Sequence, residues 1–87
     1  GIYDNLPRVL PDGVGASIKR GSWPVPPIFE LLVAEGDLDE REALHAFNMG
    51  LGMLVVVPAS AADAAIRAVP EAHIVGELVH GVGVTLV

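Results

Sequence analysis

The chain has 87 residues, a net charge of −6 and an apolar content of 52 %. This length suits a single small domain with a core of aliphatic side chains, because only one Trp, one Tyr and two Phe are present. Eleven acidic residues against five basic ones argue against a nucleic-acid partner, since such binding depends on clustered Lys and Arg. The absence of cysteine excludes disulfides and thiolate metal sites and favours a cytoplasmic protein. No apolar run approaches the roughly 18 residues of a membrane span, so no membrane partner is expected.

The first half of the chain predicts helices around one strand. Residues 4–10 place apolar side chains at helical spacing, and residues 16–19 alternate apolar and polar side chains as a half-buried strand does. Residues 28–35 follow a proline-rich segment and again show helical spacing. Asp39 has a glutamate three positions on, which resembles a capping box and predicts a further helix over 39–47.

The second half predicts strands around one helix. Gly52–Val57 is continuously apolar and β-branched, which is typical of a central strand covered on both faces. Ser60 is placed to cap a helix that ends before Pro70. Residues 72–79 and 84–87 read as two strands that pair in a hairpin. Helices and strands are intermixed and no repeat occurs, so an α+β fold with a mixed sheet is predicted.

Two glycines two positions apart lie between the predicted helix 39–47 and the predicted strand. They are Gly50 and Gly52, and Asn48 stands at their entrance. Glycine allows positive φ and close approach of another backbone. These glycines precede a strand instead of opening a helix, so they do not form a phosphate loop. A structural turn and a ligand-facing loop are both open on this pattern.

Three further side chains are candidates for binding. Asn5 and Arg8 lie one helical turn apart, and an arginine there either binds a phosphate as a planar fork or is simply solvated. Trp23 is either a core anchor or a wall for a base or ribose. The sequence assigns no catalytic residue and no general base.

The three histidines, His45, His73 and His80, do not have the spacing of a metal site. We therefore expect them to be solvated surface residues. No metal ligand is predicted within the 87 residues.

Three blocks of sequence together resemble one known family. They are residues 4–11 (DNLPRVLP), 21–29 (GSWPVPPIF) and 47–53 (FNMGLGM). In order and spacing they are similar to the C-terminal domain of the phosphoribosylformylglycinamidine cyclo-ligase family, also called aminoimidazole ribonucleotide synthetase. The resemblance extends over essentially the whole chain.

The resemblance implies an ATP-dependent ligase of de novo purine biosynthesis. The full-length enzyme converts formylglycinamidine ribonucleotide to aminoimidazole ribonucleotide and releases ADP and phosphate, with Mg²⁺ accompanying the ATP. The family has two α/β domains, of which the N-terminal one forms the homodimer and most of the ATP site. The C-terminal domain is a three-layer α/β/α sandwich that is partly ferredoxin-like.

For this chain the resemblance implies a single partial domain over residues 1–87, with the N-terminal ATP-binding domain absent. The fragment alone is expected to be inactive and to supply one wall of the substrate cleft, beside the missing N-terminal half. Trp23 is expected to brace the extended segment behind that wall. The residues expected to face the ribonucleotide are Asn5, Arg8, Asn48, Gly50 and Gly52.

Two alternatives remain beside this interpretation. In the first, the chain is a catalytically silent binding or scaffold fragment. In the second, it belongs to a related two-domain synthetase such as formylglycinamidine ribonucleotide amidotransferase. The blocks at residues 22–24 and 47–50 favour the cyclo-ligase over the second alternative.

Overall fold

The chain forms four α-helices and three β-strands, and the computed structural model describes all of residues 1–87. Short 3-10 helices follow the first α-helix, at Leu6–Val9, and precede the last one, at Ala59–Ala61. No helix combines the length and the apolar character needed to cross a membrane. In chain order the elements are α1 (Ile2–Asn5), β1 (Val14–Ile18), α2 (Pro27–Glu35), α3 (Glu40–Ala46), α4 (Ala62–Ala68), β2 (Gly76–His80) and β3 (Val84–Leu86).

The sheet has three strands with β1 in the centre. β2 runs antiparallel to β1 and pairs Leu78 with Ala16, whereas β3 runs parallel to β1 and pairs Val84 with the same Ala16. The mixed sheet and the α+β class are therefore confirmed, and the three-layer arrangement stays a prediction.

The predicted hairpin between the last two strands is wrong, because β1 lies between them. The loop that joins β2 to β3 crosses one end of β1. There the amide of Gly81 donates to the carbonyl of Gly13, and the amide of Ala16 donates to the carbonyl of Gly83. β2 and β3 therefore form their backbone hydrogen bonds with the two edges of β1 and not with each other. The strand predicted over 72–79 is also shorter than expected and occupies Gly76–His80.

The helix predicted over 4–10 divides into two short pieces. Pro7 has no amide hydrogen, so the α-helical hydrogen bond at that position is missing and the chain tightens into a 3-10 helix. The helices predicted over 28–35 and 39–47 are confirmed within one or two residues.

Of the two predicted helix caps, one forms and one does not. The Asp39 carboxylate accepts a 2.8 Å hydrogen bond from the amide of Glu42 at the start of α3. Ser60 makes no capping bond, because it lies inside the 3-10 turn that precedes α4. The prediction for Ser60 is therefore wrong.

The central strand predicted over Gly52–Val57 does not form. This segment has no regular secondary structure, and its backbone makes no hydrogen bond within the chain. Met53 is 82 % exposed and Val55 is 74 % exposed. A strand needs a neighbour whose backbone satisfies its donors and acceptors, and no strand of the sheet lies beside this segment.

The core is small and is confined to one part of the chain. Seven of the 87 residues are buried, and all seven lie between Ile2 and Leu44. The radius of gyration, 13.5 Å, exceeds the roughly 12 Å expected for a compact chain of this length. The buried cluster joins α1, the first 3-10 helix, β1 and α3, and consists of Ile2, Leu6, Ala16, Ile18 and Leu44.

Candidate functional site

The candidate site is built on residues 48–52, which we call the glycine turn. α3 ends at Ala46, and the chain then reverses through two residues in the left-handed region, Met49 with φ of 51° and Gly50 with φ of 95°. The Asn48 side-chain oxygen accepts a 2.8 Å hydrogen bond from the amide of Gly50. The Asn48 carbonyl accepts a second, 2.9 Å bond from the amide of Leu51. Asn48 therefore closes the turn with both of its oxygens.

A second segment, Trp23–Pro26, packs behind the glycine turn. The indole Nε1 of Trp23 donates a 2.9 Å hydrogen bond to the carbonyl of Met49. A Cβ atom added to Gly50 would lie 2.6 Å from the Cδ of Pro26. Gly50 is therefore required both by its positive φ and by the proline ring beside it.

The two glycines of the turn differ in what they require. Gly52 does not have a positive φ, and a Cβ atom added there would meet no atom within 4 Å. Its backbone amide makes no hydrogen bond within the chain. The backbone conformation and the packing at Gly50 require glycine, whereas neither requires it at Gly52.

The start of α1 lies against the residues that lead into the glycine turn. The α-carbon of Gly1 lies so close to the carbonyls of Leu44 and Phe47 that no Cβ fits there. The Asn5 side-chain Nδ2 donates a 2.7 Å hydrogen bond to the carbonyl of Gly1. Asn5 thus bonds to Gly1, and Gly1 packs against the end of α3 just before the turn.

Arg8 stands apart from this group. It lies on the 3-10 helix after α1, is exposed, and makes no hydrogen bond or ion pair within the chain. Of the predicted site residues, Asn48, Gly50 and Gly52 lie in the glycine turn, and a hydrogen bond joins Asn48 to Gly50. The side chain of Asn5 bonds to Gly1, and neither Asn5 nor Arg8 makes a hydrogen bond to the turn.

A polar cluster fastens α1 to α3 next to this group. His45 Nδ1 lies 2.9 Å from the Asp4 carboxylate, and this hydrogen bond lowers the pKa of Asp4 below its usual range. The ring of Tyr3 lies 5.1 Å from that of His45, and the Arg41 guanidinium stands 5.0 Å from the centre of the Tyr3 ring. The cluster fixes the position of α1 relative to the end of α3.

A cavity of about 410 Å³ is lined by Trp23, Met49 and Leu86. Arg20 and Glu40 form a two-pronged ion pair at its wall. The hydrogen bond between them raises the pKa of Arg20 and lowers that of Glu40. The remaining lining residues are mainly apolar and include Val25, Val33, Ala43 and Leu44.

The histidines are surface residues, as predicted. His45, His73 and His80 are all exposed. Nowhere in the chain do three or more His, Asp or Glu side chains come together in an arrangement that could hold a metal ion.

The contact of Trp23 with the glycine turn was not predictable from the sequence pattern. The two bonded residues are 26 positions apart, and no periodicity links them. A tryptophan between serine and proline indicates an anchored, extended residue, but it does not indicate the acceptor of its N–H.

Comparison with known proteins decides the family. The family model described as "AIR synthase related protein, C-terminal domain" matches residues 1–87. The chain is a member of that family. The three blocks of the resemblance fall on the end of α1 with the 3-10 helix after it, on the segment that leads into α2, and on the glycine turn. Trp23 of the second block bonds to Met49 of the third, and both pack against the buried cluster that contains Leu6 of the first.

Curated relatives of this AIR synthase related domain are named phosphoribosylformylglycinamidine cyclo-ligase. The relative from Bacillus mycoides (strain KBAB4) is 47 % identical over the whole chain, which corresponds to 26 % of that relative. The relative from Geobacillus thermodenitrificans (strain NG80-2) is 45 % identical over 98 % of the chain, again 26 % of its length. The chain thus spans about a quarter of the length of the curated relatives it matches.

Proposed function

We propose that these residues are part of a phosphoribosylformylglycinamidine cyclo-ligase, which closes the imidazole ring of aminoimidazole ribonucleotide in de novo purine biosynthesis. The observation that carries the proposal is the 47 % identity to the Bacillus mycoides cyclo-ligase over the whole chain. In this proposal residues 1–87 form part of a C-terminal domain. ATP and Mg²⁺ bind mainly to a separate N-terminal domain of a cytoplasmic homodimer.

The side chains available here suit a role in holding the ribonucleotide. The Asn48 Nδ2 and the amide of Gly52 are donors without a partner in the chain. Arg8 adds an exposed guanidinium, which can bind a phosphate through two parallel hydrogen bonds. Asn5, on α1, has an unpaired side-chain oxygen. Together they would position the substrate for attack on the activated formyl group.

These residues do not fit a magnesium site. The carboxylates are dispersed, and Asp4 and Glu40 are each engaged by a basic side chain. When bound elsewhere, Mg²⁺ would neutralise charge on the transferring phosphoryl group.

A chimera tests the function directly. In it, these 87 residues replace the matching segment of the Bacillus mycoides relative, and ATP-dependent formation of aminoimidazole ribonucleotide is measured. We expect turnover comparable to that of the parent enzyme. A folded dimeric chimera that binds neither substrate nor product would contradict the proposal and would favour a silent scaffold.

Single substitutions in the chimera test the site. Arg8→Ala should raise the KM for the ribonucleotide by about tenfold, because a charge-assisted bidentate contact is lost. Arg67→Ala is the matched control, since Arg67 is an exposed arginine in the last turn of α4. Equal kinetics in the two variants would remove Arg8 from the site.

A further inference from the structure

We propose that Trp23 is a positioning residue for the glycine turn, and that its indole N–H sets the turn in the orientation that receives the ribonucleotide. Trp23 would act through Met49 and would not itself touch the substrate. The inference rests on the proposed function, because it gives the turn a ligand. Its structural part, the restraint of the turn, is independent of that ligand.

The turn needs a restraint from outside itself. Met49 is a non-glycine residue with φ of 51°, a conformation that persists only where the surroundings impose it. The two hydrogen bonds made by Asn48 lie within the turn and would move with it as a unit. The contacts from outside are the Trp23 hydrogen bond, the packing of Pro26 on Gly50, and the packing of Met49 and Leu51 against the buried cluster. Of these, the Trp23 bond is the only hydrogen bond, and so the only directional contact, between the turn and the rest of the fold.

Trp23 is well placed to provide that restraint. Its ring is half-buried and packs against the buried cluster. Ser22, the residue before it, donates a 2.6 Å hydrogen bond to the carbonyl of Lys19 at the end of β1. Pro24 after it restricts the backbone to extended conformations. These contacts fix the indole relative to the sheet, and its hydrogen bond in turn fixes the Met49 carbonyl relative to the sheet.

The same bond also decides which groups of the turn stay available. It occupies the Met49 carbonyl, while the Gly50 amide is occupied by Asn48. The donors left without a partner include the Asn48 Nδ2 and the Gly52 amide, both on exposed residues. A turn held in this way presents donors to oxygen atoms of a ligand, such as ribose hydroxyls or phosphate. Without the indole bond the Met49 carbonyl would be a further unpaired acceptor in the turn.

The decisive variant is Trp23→Phe, which keeps an aromatic ring and removes the N–H. In the chimera, Trp23→Phe should raise the KM for the ribonucleotide by about tenfold and change kcat by less than about threefold, because the loss falls on substrate positioning. Val25→Ala is the matched control. Val25 is a half-buried residue of the same segment that makes no hydrogen bond to the turn, and its truncation should leave KM unchanged.

A second measurement does not depend on activity. In the folded chimera, amide hydrogen exchange at Gly50 and Leu51 should become faster by about tenfold or more in Trp23→Phe and stay the same in Val25→Ala. Unchanged exchange and unchanged KM in Trp23→Phe would overturn the inference. If the parent chimera is inactive but the exchange result is as expected, the proposed function fails and the restraint of the turn by Trp23 stands.

Discussion

The half of the chain that is richer in apolar residues, residues 51–87, is the less well packed of the two. The first half, residues 1–50, contains every buried residue, whereas the second half contains none. Leu44 and Val55 illustrate the contrast, since Leu44 is 5 % exposed and Val55 is 74 % exposed. Burial therefore depends on a neighbouring element, because an apolar side chain gains free energy only when another surface removes it from water.

The polar interactions follow the same division. The side-chain cap of α3, the Arg20–Glu40 ion pair, the Asp4–His45 pair and the Trp23–Met49 hydrogen bond all lie within the first half. α4, in the second half, has no side-chain cap. The candidate site lies at the boundary, where the glycine turn leaves the packed half and enters the exposed run.

The largest effect is expected when a buried residue of the first half is truncated and compared with an exposed residue of the second half. Leu44→Ala should lower the free energy of unfolding by about 2–5 kcal/mol, because it leaves a cavity in the buried cluster. Val55→Ala should change it by less than about 0.5 kcal/mol, since Val55 is exposed. Urea unfolding followed by Trp23 fluorescence measures both. Equal losses would show that residues 52–57 are packed in solution.

The next effect separates the two glycines of the turn. Gly50→Ala should cost about 1–3 kcal/mol, because alanine is strained at positive φ and its methyl group would press on Pro26. Gly52→Ala meets no atom within 4 Å and should be nearly neutral for stability. The same unfolding assay applies. A loss at Gly52 as large as that at Gly50 would contradict the described turn.

A smaller effect distinguishes the cap that forms from the one that does not. Asp39→Ala should lower the thermal midpoint by roughly 5 °C, since the Glu42 amide loses its acceptor. Ser60→Ala should leave the midpoint unchanged, because Ser60 makes no capping bond. Differential scanning calorimetry of both variants checks the pair. A shift on Ser60→Ala would mean that α4 begins earlier than described.

The smallest effect is a dependence of stability on pH. Hydrogen bonds lower the pKa of Glu40 below its usual 4.5 and that of Asp4 below its usual 3.8. The unfolded chain then binds more protons than the folded one, so stability rises with pH. The contribution is present above the unfolded pKa values and is lost as pH falls through the folded ones.

The measurement is the urea midpoint from about pH 6 down to about pH 3, a range in which carboxyl groups of an unfolded chain take up protons. Glu40→Gln should flatten the fall of the midpoint at the acid end. Glu71→Gln is the control, because Glu71 is an exposed carboxylate without an ion-pair partner. If the two variants behave alike, the Arg20–Glu40 pair does not contribute to the pH dependence.

Local signals in the sequence were more informative than pairing signals. The helices at Pro27–Glu35 and Glu40–Ala46 follow from spacing and from the cap at Asp39, because these are interactions between near neighbours. The order β2-β1-β3 does not follow from the sequence, since strand pairing joins distant segments and a short glycine-containing loop is equally typical of a hairpin. The run at Gly52–Val57 has the composition of a strand but no neighbour.

The candidate site shows the same limit. The two glycines and Asn48 were identifiable as a turn, and the turn forms through the Asn48 side chain. The different roles of Gly50 and Gly52 were not identifiable, because they depend on the position of Pro26. Trp23 was identifiable as an anchor, whereas its acceptor is set by the tertiary fold.

The position of β1 between β2 and β3 has a consequence for how the chain folds. Ile18 pairs with Gly76 on one side and with Leu86 on the other, so every strand pair closes a loop of more than half the chain. Closing such a long loop costs conformational entropy before the strand pair gains any hydrogen bonds or packing. Chains rich in distant pairings therefore fold slowly. During synthesis both edges of β1 would stay unpaired until β2 and β3 had been made. The sheet is thus a late event, and α1 and α3 are the first partners available to the central strand.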